Sequence, residues 1–470
     1  MKCITCQFFP QSMLNVTCLL MFSVCAAPLF PQEFQWKVLG HLKHPRMQFG
    51  MAVIGEGRVL VVGGFAGVQG IRSERLRGAM TAECEIIDVE SHSITSAPPM
   101  NVPHAQSVVL QTADSNVVVI SGLNTDSTTT PICEMFDRKK NEWRVLGSLL
   151  IGRHYHMAAF INQEEIMVVG GRANYNYAGT IAEAEIFNIR TGKSRMVADF
   201  PCKACEGMGS KSDLFSQRSI FVNGRSGGEG SHRTPNVYSY DTLSHRWVCV
   251  AYLPDGAYLS AHKRLFDGRL VITGGLRREP RIHYAISPSI RIEDQTGFVI
   301  AGEMIQPRWA SLLEQWNKEI IISMGGVGTI GSALNHTEWF DLRTKQSFEG
   351  PLMNEPRSYP ASASFPIFDS QGKQQRSCII VVGGINIENK SLSSVEILET
   401  TNPQLIELPS TEIASRRRQQ LLTSPVVIIT LTAFILVLIA ALLYLLYQVF
   451  IIRKQTKFSL IDGASEGQKL

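Results

Sequence analysis

The 470-residue sequence predicts an all-β protein built as a ring of repeated units, a β-propeller, and three observations carry that expectation. A run of apolar β-formers ending in a glycine doublet, intact or degraded, returns seven times at spacings of 58, 49, 53, 51, 51 and 58 residues. An arginine or histidine following Pro or Gly stands seventeen residues before the first glycine position in four repeats, at Arg46, His104, Arg153 and Arg308. After each doublet comes a variable stretch and then a strand signature: EIID (85–88), EMFD (134–137), EIFN (185–188), YSYD (238–241) and EWFD (338–341).

The glycine strands are VLVVGG (59–64), VVVISG (117–122), IMVVGG (166–171), SIFVNG (219–224), VITGG (271–275), IISMGG (321–326) and IIVVGG (379–384). In the last repeat Arg357 holds the arginine slot, displaced by an insertion around residues 369–377. Six residues beyond the acidic end of the signature lie Trp143 and Trp247, where an aromatic restarts a strand after turn residues. Each repeat thus supplies four short strands and no helical periodicity, and about seven four-stranded blades close into a propeller. The apolar second strand is buried between neighbours, and its terminal glycines allow a turn where a Cβ would clash.

The glycine doublet, the Pro-Arg upstream and the late Trp resemble the kelch repeat family over residues 34–410. That resemblance implies a kelch-type propeller and says little about function. Departures are Asn223-Gly224, Ser121-Gly122 and a fifth repeat without the Pro-Arg or the final Trp. Residues 34–39 (FQWKVL) match the last strand of a repeat and are expected to pair with the final blade, whose own last strand is expected near residues 405–408.

The chain ends suggest a membrane protein. Residues 426–452 carry no charge and exceed the roughly 20 apolar residues that span a bilayer, so a C-terminal transmembrane helix is expected there. Three arginines (416–418) flank it on one side and Arg453, Lys454 and Lys457 on the other, which leaves the positive-inside rule nearly silent. The apolar stretch CLLMFSVCAA (18–27) has Val24 and Ala26 placed as at a signal-peptidase site. The expected order is a signal peptide (1–26), the propeller (34–410), a stalk (411–425), the helix (426–452) and a short cytoplasmic tail (453–470), with the propeller extracellular or lumenal. A tail-anchored protein with a cytosolic propeller is the alternative topology. The mature body keeps Cys84, Cys133, Cys202, Cys205, Cys249 and Cys378, and the lone CxxC at 202–205 reads as a tight disulfide or ordinary thiols. Asn335 and Asn389 head sequons for N-glycosylation.

A net charge of +4 gives no field suited to nucleic acid, so no nucleic-acid partner is expected. The candidate ligand-binding face collects Arg46, Arg153, Arg308 and Arg357 with the loop arginines Arg172, Arg225, Arg233, Arg277, Arg278 and Arg281, and Arg72, Arg75 and Arg77 in the first repeat. Guanidinium groups in such numbers attract carboxylate, sulfate or phosphate, although arginines at propeller crossings also serve as ties to backbone carbonyls. No nucleophile elbow, zinc-protease or Walker pattern occurs, and His154-Tyr155-His156 is the one dense His/Tyr cluster, with His156 expected as a satisfied core residue. No catalytic residue, metal or cofactor is expected. The reading is a non-catalytic, membrane-anchored module that binds a protein or anionic glycan. The alternative in another class is a propeller enzyme resembling copper radical oxidases of the galactose-oxidase type.

Overall fold

The structure, a computed structural model, describes residues 34–400 and, beyond them, Tyr444 and Tyr447. Within 34–400 the exceptions are 56, 68–79, 127, 175–178, 206–207, 212–218, 223–224, 227–235, 256–257, 278–284, 366 and 369–373.

Among the described residues, six four-stranded antiparallel sheets form six blades in chain order. The first blade runs outward through Gly50–Gly55, Arg58–Val62, Cys84–Asp88 and Ser93–Ala97. Its successors begin with the inner strands Val108–Gln111, Met157–Phe160, Met208–Lys211, Ala261–Arg264 and Leu312–Gln315. Every second strand but the fourth blade's, whose side chains are described only at Phe221, is buried almost throughout, as its unbroken apolar run requires. The core therefore lies between blades: Met167 and Val169 of the third meet Phe221 and Tyr240 of the fourth, and Val271 of the fifth shares a cluster with Ile321 and Phe340 of the sixth.

The glycine doublet has a specific task. Gly64 N–H donates to the carbonyl of His104 in the next blade at 2.8 Å. At Gly63, with φ 59°, a Cβ would stand 2.2 Å from that same oxygen. Gly122 makes the equivalent bond to Arg153, Gly275 to Arg308, Gly326 to Arg357 and Gly384 to Arg46. The last of these runs from the end of the propeller back to its beginning, so the ring is closed.

Closure uses a seventh, six-stranded sheet drawn from both ends of the propeller. Ala361–Ser364, Gln374–Val382 and Leu392–Thr400 are followed in space by Lys37–Met47 and then Phe65–Ala66. About seven four-stranded blades were expected; six sheets have that form, and the seventh copy is absorbed into this larger closing sheet. The N-terminal strand pairs directly with Leu392–Thr400, taking the place expected for residues 405–408, which lie outside the described residues. Buried Phe34 and Trp36 anchor it: Phe34 meets Trp339 edge-on at 6.4 Å, and Asn354 Nδ2 donates to the Trp36 carbonyl at 3.1 Å.

Contacts divide the chain into two units, Met1–Pro403 and Gln404–Leu470. The expected signal peptide, stalk, transmembrane helix and tail lie outside the described residues, except helical Tyr444 and Tyr447. Among the described residues no helix is long and apolar enough to cross a membrane.

Candidate functional site at the axial mouth

The four crossing arginines expected to face a ligand are withdrawn into the protein. Arg46, Arg153, Arg308 and Arg357 are each 0% exposed. Arg153 donates to the Gly170 and Glu183 carbonyls at 2.9 and 2.7 Å and to Glu185 at 2.6 Å. Arg46, Arg308 and Arg357 repeat this with Glu85, Glu338 and Glu396. Each glutamate also accepts from the preceding crossover: Glu185 from Leu150 N–H at 2.7 Å, Glu338 from Ile305 N–H at 2.6 Å and Glu396 from Asn354 N–H at 2.7 Å. The arginines thus clasp two blades together, and no guanidinium surface remains for a ligand. Burial lowers Arg308 to about 10 and raises Glu338, as desolvation of a shared ion pair demands.

Two blades vary the clasp. In the second, His104 Nδ1 lies 2.7 Å from the Ser121 carbonyl and Nε2 lies 3.3 Å from Glu134. Burial pushes Glu134 up, but hydrogen bonds from His104 and Asn101 outweigh it and the carboxylate stays low. The fifth blade inverts the charges. Arg291 occupies the register position of Glu85, pairing with Ile272 as Glu85 pairs with Val61. It donates to Asp255 and to the Pro254 carbonyl at 2.7 Å.

Two residues beyond the crossover Arg or His of each clasp, and four beyond Asp255 in the fifth blade, the backbone turns left-handed at a non-glycine residue. Gln48, Gln106, Tyr155, Leu259, Ala310 and Tyr359 have φ between 50° and 54°. Consecutive members are hydrogen-bonded: Gln106 N–H to Gln48 at 3.1 Å, Tyr155 to Gln106 at 3.2 Å, Ala310 to Leu259 at 2.9 Å and Tyr359 to Ala310 at 3.2 Å. All six are half-buried. Left-handed non-glycine residues cost about 1–2 kcal/mol each, so the ring is a local conformation that blade packing imposes.

Side chains from non-adjacent blades meet here, which happens only at the axis. Gln48 Nε2 (first blade) donates to Tyr155 Oη (third blade) at 2.8 Å, and Gln106 Nε2 of the intervening blade reaches Tyr155 Oη and Gln48 Oε1 at 2.7 Å. His154 Nδ1 lies 2.6 Å from Gln106 Oε1, its Nε2 lies 3.0 Å from the Asn174 carbonyl, and Arg172 stacks 5.0 Å from the Tyr155 ring centre. Burial, with Arg172 nearby, lowers His154 to about 4. Across the mouth the wall is aromatic: Trp309 meets Tyr359 edge-on at 5.9 Å, with Tyr258 buried in the blade before. Deeper in the axis Lys263 and Glu314 pair, and Glu314 holds Ser362 and Ser364 at 2.8 Å. His262 beside them is an exposed residue with protein around it, and desolvation lowers it to about 4.

His156, expected as a satisfied core residue, is buried but neither ring nitrogen meets a hydrogen-bond partner. Its burial, together with Arg153 and His154, holds it neutral. Among the loop arginines, Arg172 is 3% exposed, while Arg277 is partly exposed and donates to Asp255 at 2.5 Å. Arg233, Arg278 and Arg281 lie outside the described residues with Arg72, Arg75 and Arg77, and Arg225 is described only as a strand residue pairing with Cys205. Asn335 is half-buried and donates to the Met353 carbonyl at 3.2 Å, whereas Asn389 is exposed in a turn. Cys84 and Cys133 are buried free thiols, and burial raises each to about 12. The sequence reasoning missed Gln48, Gln106, Trp309, Ala310 and Tyr359; their signal was position, one or two residues after the Pro-Arg slot.

No family model matches the sequence, and no curated protein sequence matches it. Among solved structures the chain is similar to a fungal alcohol oxidase "with catalytic diversity among the AA5 family, in complex with copper", at 13% identity and a TM-score of 0.56. That match covers 78% of this chain and 76% of the oxidase. A second similar structure, titled "Structure of YjhT", has 16% identity and a TM-score of 0.49 over 67% of this chain and 99% of its own. The likeness to the oxidase shows the fold. The expectation of a non-enzyme is corrected by the same likeness: the solved alcohol oxidase has a similar fold, so this fold does not exclude an enzyme. No group of three His, Cys, Asp or Glu side chains is placed to hold a metal ion among the described residues, and both ring nitrogens of His154 already face Gln106 and Asn174.

Proposed function

We propose that this chain is a membrane-anchored propeller of the kelch type that recognises a protein or an anionic glycan through the face bearing the axial mouth. The observation that carries the reading is the convergence of Gln48, Gln106 and Tyr155 from three blades at 2.7–2.8 Å, on a strained backbone ring. Strain of this kind collects where a side chain must be aimed at a ligand. Arg277, held by Asp255, favours an acidic partner, and the sequence adds Arg225, Arg233, Arg278 and Arg281 as further cations. The apolar segment 426–452 supports the anchor, and the small-residue site at Ala26 supports an extracellular or lumenal propeller. Exposed Asn389 is the geometrically open glycan acceptor, while Asn335 uses its amide to hold Met353.

The test is a glycosidase treatment of the full-length protein, an intact mass of its N-terminus, and binding of the detergent-extracted chain to heparin and to neutral dextran. A mobility shift, a start at Ala27 and heparin-selective retention are expected. An intact Met1 without a shift overturns the topology in favour of a tail-anchored cytosolic protein. Equal retention on both matrices overturns the anionic preference.

A further inference from the structure

The mouth has two unlike walls. On one side Gln48, Gln106 and Tyr155 present amides and a phenol; on the other Trp309 and Tyr359 present aromatic surface. Gln48 spends two of its four hydrogen-bonding positions on Gln106 and Tyr155, so an amide of fixed orientation keeps both donor and acceptor capacity at the mouth. Within the aromatic wall, between Leu259 and Tyr359, the ring is lowest at Ala310, whose methyl is the smallest side chain of the six described ring members. Trp309, immediately before it, stays partly exposed beside that gap.

From this arrangement we propose that the mouth is a subsite for a single pyranose ring, read by shape and hydroxyl groups. The apolar C–H face of the sugar stacks on Trp309 above Ala310, with Tyr359 as the edge. Its hydroxyls exchange donor and acceptor with Gln48 and with the Gln106–Tyr155 pair. A flat apolar face opposite a hydroxyl-bearing rim is the chemistry that one aromatic and one amide wall distinguish from a peptide or a free anion. The mouth reads the ring itself. This inference rests on the recognition reading above.

The experiment is saturation-transfer NMR on the full-length chain in a detergent without a sugar headgroup, with glucose, mannose, N-acetylglucosamine and glucuronic acid as separate probes. Transfer to the ring protons of at least one probe is expected. Ala310→Trp, which fills the gap without altering a clasp, abolishes it, and Trp309→Leu weakens affinity about tenfold, the loss of one aromatic stacking contact. Thermal unfolding of both variants is compared with the parent, so a folding defect in one leaves the other to decide. Absence of transfer with all four probes, or transfer that survives Ala310→Trp, overturns the subsite. Heparin retention in the absence of pyranose contact removes the subsite and leaves the recognition reading standing; pyranose contact without heparin selectivity removes the anionic preference and leaves the subsite standing.

Discussion

Arg291 donates to Asp255 across the junction into the fifth blade, and the pair carries the charges of the other clasps with their origins exchanged. Elsewhere the cation comes from the crossover and the anion from the third strand, as in Arg153 and Glu185. In the fifth blade the strand supplies the cation and the crossover the anion, and the Gly274 carbonyl is still met by a guanidinium, Arg291 at 3.3 Å. The junction needs a buried charge pair in this place; which chain segment contributes which sign is free.

Reversing one member of the pair is therefore expected to be severe. Arg291→Glu sets two carboxylates together and leaves Asp255 without its buried partner, a loss of about 3–5 kcal/mol. Adding Asp255→Arg restores the charge order of the third blade and recovers part of that loss. Denaturant midpoints of the single and double variants measure both, and a double variant no better than the single one contradicts the exchange.

Relief of the axial ring gives the opposite sign. Ala310→Gly removes a left-handed strain of about 1–2 kcal/mol and adds roughly 0.5–1 kcal/mol of unfolded-chain entropy, for a net change between neutral and about 1.5 kcal/mol stabilising. Ala310→Val, β-branched at positive φ, destabilises. Thermal melts of the three proteins rank them.

Acid is expected to loosen the propeller in two stages. His154 and His262 fall from 6.5 to about 4 in the fold, so the unfolded chain binds more protons than the folded one across that interval. Stability is complete above about 6.5 and declines as the pH drops towards 4. Asp255, where burial raises the pKa but bonds from Ser287 and Arg277 lower it further, adds a loss at still lower pH. Urea midpoints from pH 7.5 to 3.5 trace the curve, and His262→Gln flattens its upper stage. A flat profile down to pH 4 contradicts the neutral histidines.

The closing strand is the last target. Trp36 is 4% exposed beneath the sixth blade's outgoing crossover, and Trp36→Ala is expected to cost about 3–5 kcal/mol. Limited proteolysis checks where the damage appears: early cleavage in residues 37–47 shows that the latch has opened.

Much of this architecture was legible because spacing reports on strands, and the glycine doublets marked one junction each. The clasp was half legible. Arg46 and Glu85 are separated by the variable loop, and an arginine read without its glutamate looks like a ligand for anions; read with it, the recurrence of Glu85, Glu185 and Glu338 in the signature strands points inward. Arg291 was hidden because it sits where the pattern has glutamate. The axial ring was legible only as a position after the arginine slot, not from its residue types. Gln, Tyr, Leu and Ala have no preference for positive φ, and only the hydrogen bonds handed from blade to blade place them there.

The pairing of Lys37–Met47 with Leu392–Thr400 also sets an order of events during synthesis. His41 and its partner Ser393 are 352 residues apart, so the first strand made waits for one of the last. At about 5–20 residues per second that wait lasts roughly 20–70 s. Throughout it the growing chain holds an unpaired β-edge at each end, the state most open to wrong pairing with a second nascent chain. Holding the first strand back until the last has emerged is then a task for whatever receives the chain.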